Sequence, residues 1–144
     1  MDQNDTTRLL RECDAGIRMG VKSLSDAMPA VEDANLLRAL QKSRATHEEL
    51  ARRCRTALHA AHIPGQNPNP MADAMSWLKT NMKLMMKPTD QTVAGLITDG
   101  CHMGIKSLHR YLNEYSAADT KSRALAEDVI AAESDLCTAM EPYL

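Results

Sequence analysis

Apolar residues recur along the chain at steps of three and four, the spacing of one helix face. From about Thr6 to Met28 the stripe is Leu10, Cys13, Ile17, Val21, Leu24 and Met28. Asp5 or Thr6 is placed to cap this helix A, and Pro29 to end it. Helix B, about Glu32 to Ala61, carries Leu36, Leu40, Ser43, His47, Leu50, Cys54, Leu58 and Ala61 on a single seam. The next stretch, Ile63-Pro-Gly-Gln-Asn-Pro-Asn-Pro70, holds three prolines and a glycine and cannot be helical. A short helix is expected from about Met71 to Lys87, with Met71, Met75, Leu78, Met82 and Met85 on one face. Beyond Pro88, helix C (about Asp90 to Tyr115) shows Val93, Ile97, Cys101, Gly104, Leu108, Leu112 and Tyr115. Helix D (about Asp119 to Met140) shows Leu125, Val129, Glu133, Leu136 and Met140. No stretch alternates at period two, so the expected fold class is all-α.

The pattern also repeats. Gly16-Ile-Arg-Met-Gly-Val-Lys-Ser-Leu24 returns 84 positions later as Gly100-Cys-His-Met-Gly-Ile-Lys-Ser-Leu108, with six identities in nine. Each copy sits late in the first helix of a hairpin, so the chain reads as two duplicated hairpins. Hairpin A–B covers about 5–62, the crossover about 63–88 and hairpin C–D about 89–141. Together they predict one antiparallel four-helix bundle domain over 1–144, with a short helix in its crossover. Helices of ~24 residues would be ~36 Å long, a normal bundle length.

Composition narrows the class. With 144 residues, the chain is long enough to bury one sizeable core. It has no Phe, one Trp and three Tyr against ten Met, so Leu, Met, Ala and Ile must fill that core. Such a mixture suits close helix packing better than a sheet. A formal charge of −2 gives no reason to expect nucleic acid or an anionic membrane as partner. The start, Met-Asp-Gln-Asn-Asp, is polar, and no apolar run reaches signal or spanning length, so a cytoplasmic protein is expected. Four cysteines (Cys13, Cys54, Cys101, Cys137) are widely spaced without a CxxC, and in the cytosol they are expected to be reduced. Helix B is rich in Arg and Lys and helix D in Asp and Glu, which reads as complementary charge between neighbours.

One long connection between two related hairpins resembles the ferritin-like superfamily, and within it a bacterial family of unknown function. Nearly the whole chain takes part. The resemblance rests on Asp14-Ala-Gly16 in helix A, Pro64-Gly65 after helix B, Trp77-Leu-Lys79 in the crossover helix and Asp99-Gly100 in helix C. It implies a ferritin-like bundle. In the enzymes of that superfamily it also implies a di-iron or di-manganese centre, built from a carboxylate on each of two helices and a Glu-x-x-His on the other two. Residues three apart share a helix face, which lets both reach one metal. The pattern fails here. Helix B has Arg44-Ala-Thr-His47, helix D has Ile130-Ala-Ala-Glu133, and Asp14 and Asp99 fall beside the seams. Ferroxidase chemistry therefore does not carry over, and no catalytic set is identifiable.

Two seam residues nonetheless call for explanation. His47 stands mid-seam on helix B where Leu or Ala is expected, and Glu133 stands at the equivalent point of helix D. Folding A onto B about Pro29–Ala30 sets Cys13 opposite His47. Folding D onto C about Ala117 sets Cys101 opposite Glu133. The four form a candidate layer with two readings. One is a single metal site, with imidazole and thiolate favouring iron or zinc. The other, preferred here, is a buried His–Glu pair among thiols that behave as small hydrophobes. The glycines of the repeat suggest close approach of helices A and C. The Met-rich crossover face caps the core or serves as a self-association patch, so a homo-oligomer is expected. The function these features point to is a structural or binding role, with metal binding around His47 and Glu133 as the alternative.

Overall fold

The structure, a computed structural model, describes residues 3–63, 81–82 and 88–144. Four long helices, α1 Gln3–Ala27, α2 Ala34–Ala60, α3 Asp90–Glu114 and α4 Thr120–Met140, carry the fold, with single 3-10 turns at Met28–Ala30 and Glu141–Tyr143. Among the described residues there is no strand, and no helix long and apolar enough to cross a membrane.

The helix starts follow from local side-chain chemistry. Asp33 caps α2 by accepting from the amides of Asn35 and Leu36, and Asp119 caps α4 by accepting from Ser122. Thr89 and Thr92 cap α3 reciprocally. The expected cap of α1 is corrected, because Asp5 and Thr6 lie inside that helix. They instead accept hydrogen bonds from the amides of Ala117 (3.1 Å) and Asp119 (2.8 Å) in the α3–α4 turn. At the opposite end Asp90 does the same for the α1–α2 turn, accepting from Glu32 (2.9 Å) and Asp33 (3.0 Å). Each hairpin thus uses the first turn of one helix to satisfy the turn of the other hairpin.

The core divides into two clusters along the bundle axis. One joins the first half of α1 (Leu9, Leu10, Cys13, Ile17) to the second halves of α2 and α3 and the first half of α4. The other joins the end of α1 (Leu24, Ala27) to the starts of α2 and α3 and the end of α4. That partition makes α1 antiparallel to both α2 and α3. It also obliges the chain between α2 and α3 to pass from one end of the bundle to the other. The expected crossover helix lies outside the described residues except at Asn81 and Met82, which are helical. Met82 packs against the second cluster, as a capping residue would. Met71, Met75, Leu78 and Met85 fall outside the described residues.

Charge complementarity between α2 and α4 takes the form of an Arg53–Asp128 ion pair at 2.8 Å. The apolar stripe of α1 is wider than its seam. Asp14, placed beside the seam by periodicity, is fully buried. Arg18 Nε lies 3.3 Å from its Oδ1, close enough for an ion pair, yet neither carboxylate oxygen has a hydrogen bond. Burial raises the pKa of Asp14 against the lowering effect of Arg18 and Arg55. A carboxyl group with a raised native pKa contributes stability below its unfolded value, and that contribution is lost as pH rises. Asp14→Asn is therefore expected to raise stability at pH 7 by roughly 1 kcal/mol, with the gain fading towards pH 4. Urea unfolding at both pH values checks this. A destabilised variant at pH 7 would show that the Arg18 and Arg55 field outweighs the burial.

Candidate functional site

Between the two core clusters the bundle has a polar middle. His47 from α2 and Glu133 from α4 meet there, with Nε2 3.0 Å from Oε1. His47 is fully buried and Glu133 is 8 % exposed. The other ring nitrogen, Nδ1, lies 2.8 Å from the Ser43 carbonyl oxygen. A carbonyl only accepts, so Nδ1 carries a proton and donates it. The Nε2–Oε1 hydrogen bond then needs one further proton, held either by the imidazole or by the carboxyl group. Burial disfavours charge on His47, but the hydrogen bond and charge of Glu133, with the Ser43 carbonyl, outweigh it and raise the His47 pKa. That direction favours the proton on His47, which gives the contact the character of an imidazolium–carboxylate pair.

The repeated segment supplies the space above this pair. A Cβ at Gly20 would lie 2.9 Å from His47 Cδ2 and 3.2 Å from Nε2, and one at Gly104 would lie 3.6 Å from Glu133 Cδ. A Cβ at Gly16 or Gly100 would meet nothing within 4 Å among the described residues. The expectation that these glycines bring α1 and α3 into close approach is corrected accordingly. Gly20 and Gly104 admit the His–Glu pair, while Gly16 and Gly100 widen a groove between the helices. That groove encloses about 420 Å³, with His47 and Glu133 on its floor. Of the six residues identical in the two copies, Gly16, Met19, Gly20, Ser23 and Leu24 line it, as do their counterparts 84 positions on. Only the repeated lysine does not. Met19 (37 % exposed) and Met103 (50 % exposed) rim it as equivalent residues.

Of the four candidate residues, the structure brings His47 and Glu133 together and sets Cys101 beside Glu133. Burial, then the Glu133 charge and the neighbouring Cys137 thiol, push the Cys101 pKa up. Cys13 is placed elsewhere, in the first core cluster with Cys54. Burial, with smaller contributions from nearby thiol and carboxyl groups, raises both thiols to about 12. Thiols so poised remain protonated at neutral pH and are poor nucleophiles. Among the described residues no three His, Cys, Asp or Glu side chains gather where they could hold a metal ion. Among the described helices no Glu-x-x-His is present: Arg44 stands three residues before His47 on α2, and Ile130 three before Glu133 on α4.

Periodicity identified the pair but missed the groove. Its signal was in the repeat, whose identical residues at steps of three and four share one helix face. No family model, curated protein or solved structure matches the chain. Its class, from the described residues, is an all-α bundle of four helices with a polar pair at its centre.

Proposed function

We propose that this chain is a ferritin-like bundle of two duplicated hairpins with a binding role, and that its binding site is the groove between α1 and α3. The observation that carries the reading is the lining. Nearly every residue held in common by the two copies faces the same 420 Å³ groove, above the buried His47–Glu133 pair that joins the hairpins. Packing alone would not call for glycines facing open space, because each costs the helix ~1 kcal/mol relative to Ala. Duplication is supported by further equivalences: Asp33 with Asp119 as N-caps, and His47 with Glu133, 86 positions apart. Among the described lining residues, the groups suited to acid–base chemistry are chiefly His47 and Glu133, which are engaged with one another.

Filling the groove tests the reading. Gly16→Leu with Gly100→Leu puts two side chains into open space and should fold at least as stably as the parent. The neutral fluorophore N-phenyl-1-naphthylamine should bind the parent saturably with enhanced emission, and the filled variant at least 10-fold more weakly. Equal binding by both, or none by the parent, would overturn the proposal.

Metal binding around His47 and Glu133 is the second reading. What favours it is the Ser43 carbonyl on Nδ1, an outer hydrogen bond of the kind that orients metal-ligating histidines through Nε2. Self-association, expected from the Met-rich crossover, is a further part of the proposal and would add a second surface to the same bundle.

A further inference from the structure

Among the described residues, the charges lining the groove are of one sign apart from His47. Glu12 stands at one end and Glu133 on the floor, and no described Lys or Arg lines it. The repeated lysine points elsewhere, and Lys22 lies 3.5 Å from Asp26 on the flank of α1. His47 is taken up by Glu133 and the Ser43 carbonyl. Glu133 Oε2 lies 3.8 Å from where a Cβ on Gly104 would stand, so Gly104 itself puts no side chain over it. Its near neighbour there is the Cys101 thiol, a weak donor. Ser23 and Ser107, one helical turn from each glycine, add two hydroxyl acceptors. Around these groups the walls are apolar, formed by Leu, Ile, Met and Ala side chains. Arg110 is not among the lining residues and lies over the Tyr111 ring, 5.5 Å from its centroid.

We infer that the groove binds a small organic amine, its ammonium group on Glu133 and its apolar body held between α1 and α3. An ammonium brings three donors to a floor that offers acceptors, whereas a carboxylate or phosphate would meet two carboxylates and, among the described residues, no cation except His47, which is already paired with Glu133. The volume lies in the lower part of the range of small-molecule pockets, which fits a compact ring system bearing a short chain. The inference rests on the binding reading above and names its ligand class.

Three ligands with the same indole body separate charge from shape: tryptamine, tryptophol and indole-3-propionate. Titration calorimetry of the parent at neutral pH and low salt should show tryptamine binding at least 10-fold more tightly than tryptophol, with indole-3-propionate weakest. The Gly16→Leu, Gly100→Leu variant should bind none of them. Glu133→Gln keeps the side-chain shape and should reduce the tryptamine preference to less than 3-fold while leaving tryptophol affinity in place. If that variant unfolds, Glu12→Gln should weaken tryptamine alone, and the tryptamine preference of the parent should fall with added salt. Equal affinity for tryptamine and tryptophol would overturn the amine inference and leave the groove as an apolar binding site. Tightest binding by indole-3-propionate would overturn it too. If light scattering shows the parent to be a dimer and the filled variant a monomer, a second copy occupies the groove, and the amine inference fails.

Discussion

His47→Ala is expected to lower stability by roughly 3 kcal/mol, because it leaves Glu133 buried without its partner. Full burial would place the cost higher, but Glu133 borders a groove that admits water, which softens it. His47→Leu combined with Glu133→Leu should recover most of the loss, since the apolar pair removes both charges together. The cost therefore belongs to the unpaired charge rather than to the missing ring. Titration sharpens the result. The His47 pKa is raised from 6.5, so the pair contributes fully below pH 6.5 and its contribution is lost as pH rises through the native value. The stability gap between the parent and the doubly substituted variant should accordingly shift against the parent on the alkaline side. Chemical denaturation from pH 5.5 to 9 measures it, with imidazole proton resonances reporting His47 directly. The same unfolding with and without a chelator separates the two readings of the site. For the ion pair, the midpoint is indifferent to chelator and lowered by His47→Ala. A chelator-sensitive midpoint, with stoichiometric iron or zinc by elemental analysis, would establish the metal site.

The helices were legible because their cores are apolar at helical spacing. Helix C, read from Asp90 to Tyr115, is observed from Asp90 to Glu114, and helix B ends at Ala60 as against Ala61. Seam positions also brought His47 and Glu133 together, since a polar residue at a seam must face another seam. Register was not legible. Folding the first hairpin about Pro29–Ala30 matched His47 with Cys13, whereas the structure sets Gly20 against His47 and Cys13 with Cys54. The reason lies in the turn. Met28–Ala30 forms a 3-10 turn and Val31 is extended, so α2 begins only at Ala34 and the pivot moves about one helical turn along the chain. That shift exchanges a thiol for a glycine at the centre and turns a supposed ligand layer into the wall of a groove. Asp14, read as lying beside the seam, is nonetheless buried, for a different reason. α1 packs against three other helices, so its buried face is wider than one seam, and Leu9 and Asp14 are buried along with Leu10 and Cys13.

The two central glycines, equivalent in the repeat, should respond to alanine with opposite signs. At Gly20 the added methyl meets His47 at 2.9 Å, closer than real side chains come. The obstacle is a buried ring fixed at both nitrogens, so it cannot swing aside without giving up Ser43 or Glu133. Gly20→Ala is therefore expected to destabilise by about 1–3 kcal/mol, the usual cost of overpacking, offsetting the helix propensity it gains. At Gly104 the methyl meets Glu133 at 3.6 Å, an ordinary contact. Gly104→Ala should then keep most of the ~1 kcal/mol by which Ala exceeds Gly in a helix. The difference between the two variants is the informative quantity, because propensity cancels and only the tertiary contact remains. In Gly20→Ala the His47 resonances should also move, reporting a strained or broken hydrogen bond to Glu133. In Gly104→Ala they should stay close to the parent positions while amine affinity falls, since the methyl stands near Glu133 Oε2. Equal effects of the two substitutions would mean that α1 and α3 stand symmetrically over the pair. The asymmetry, a 2.9 Å approach to the imidazole at Gly20 against an ordinary 3.6 Å contact with the carboxyl group at Gly104, makes the α3 side of Glu133 the one the proposed amine would approach.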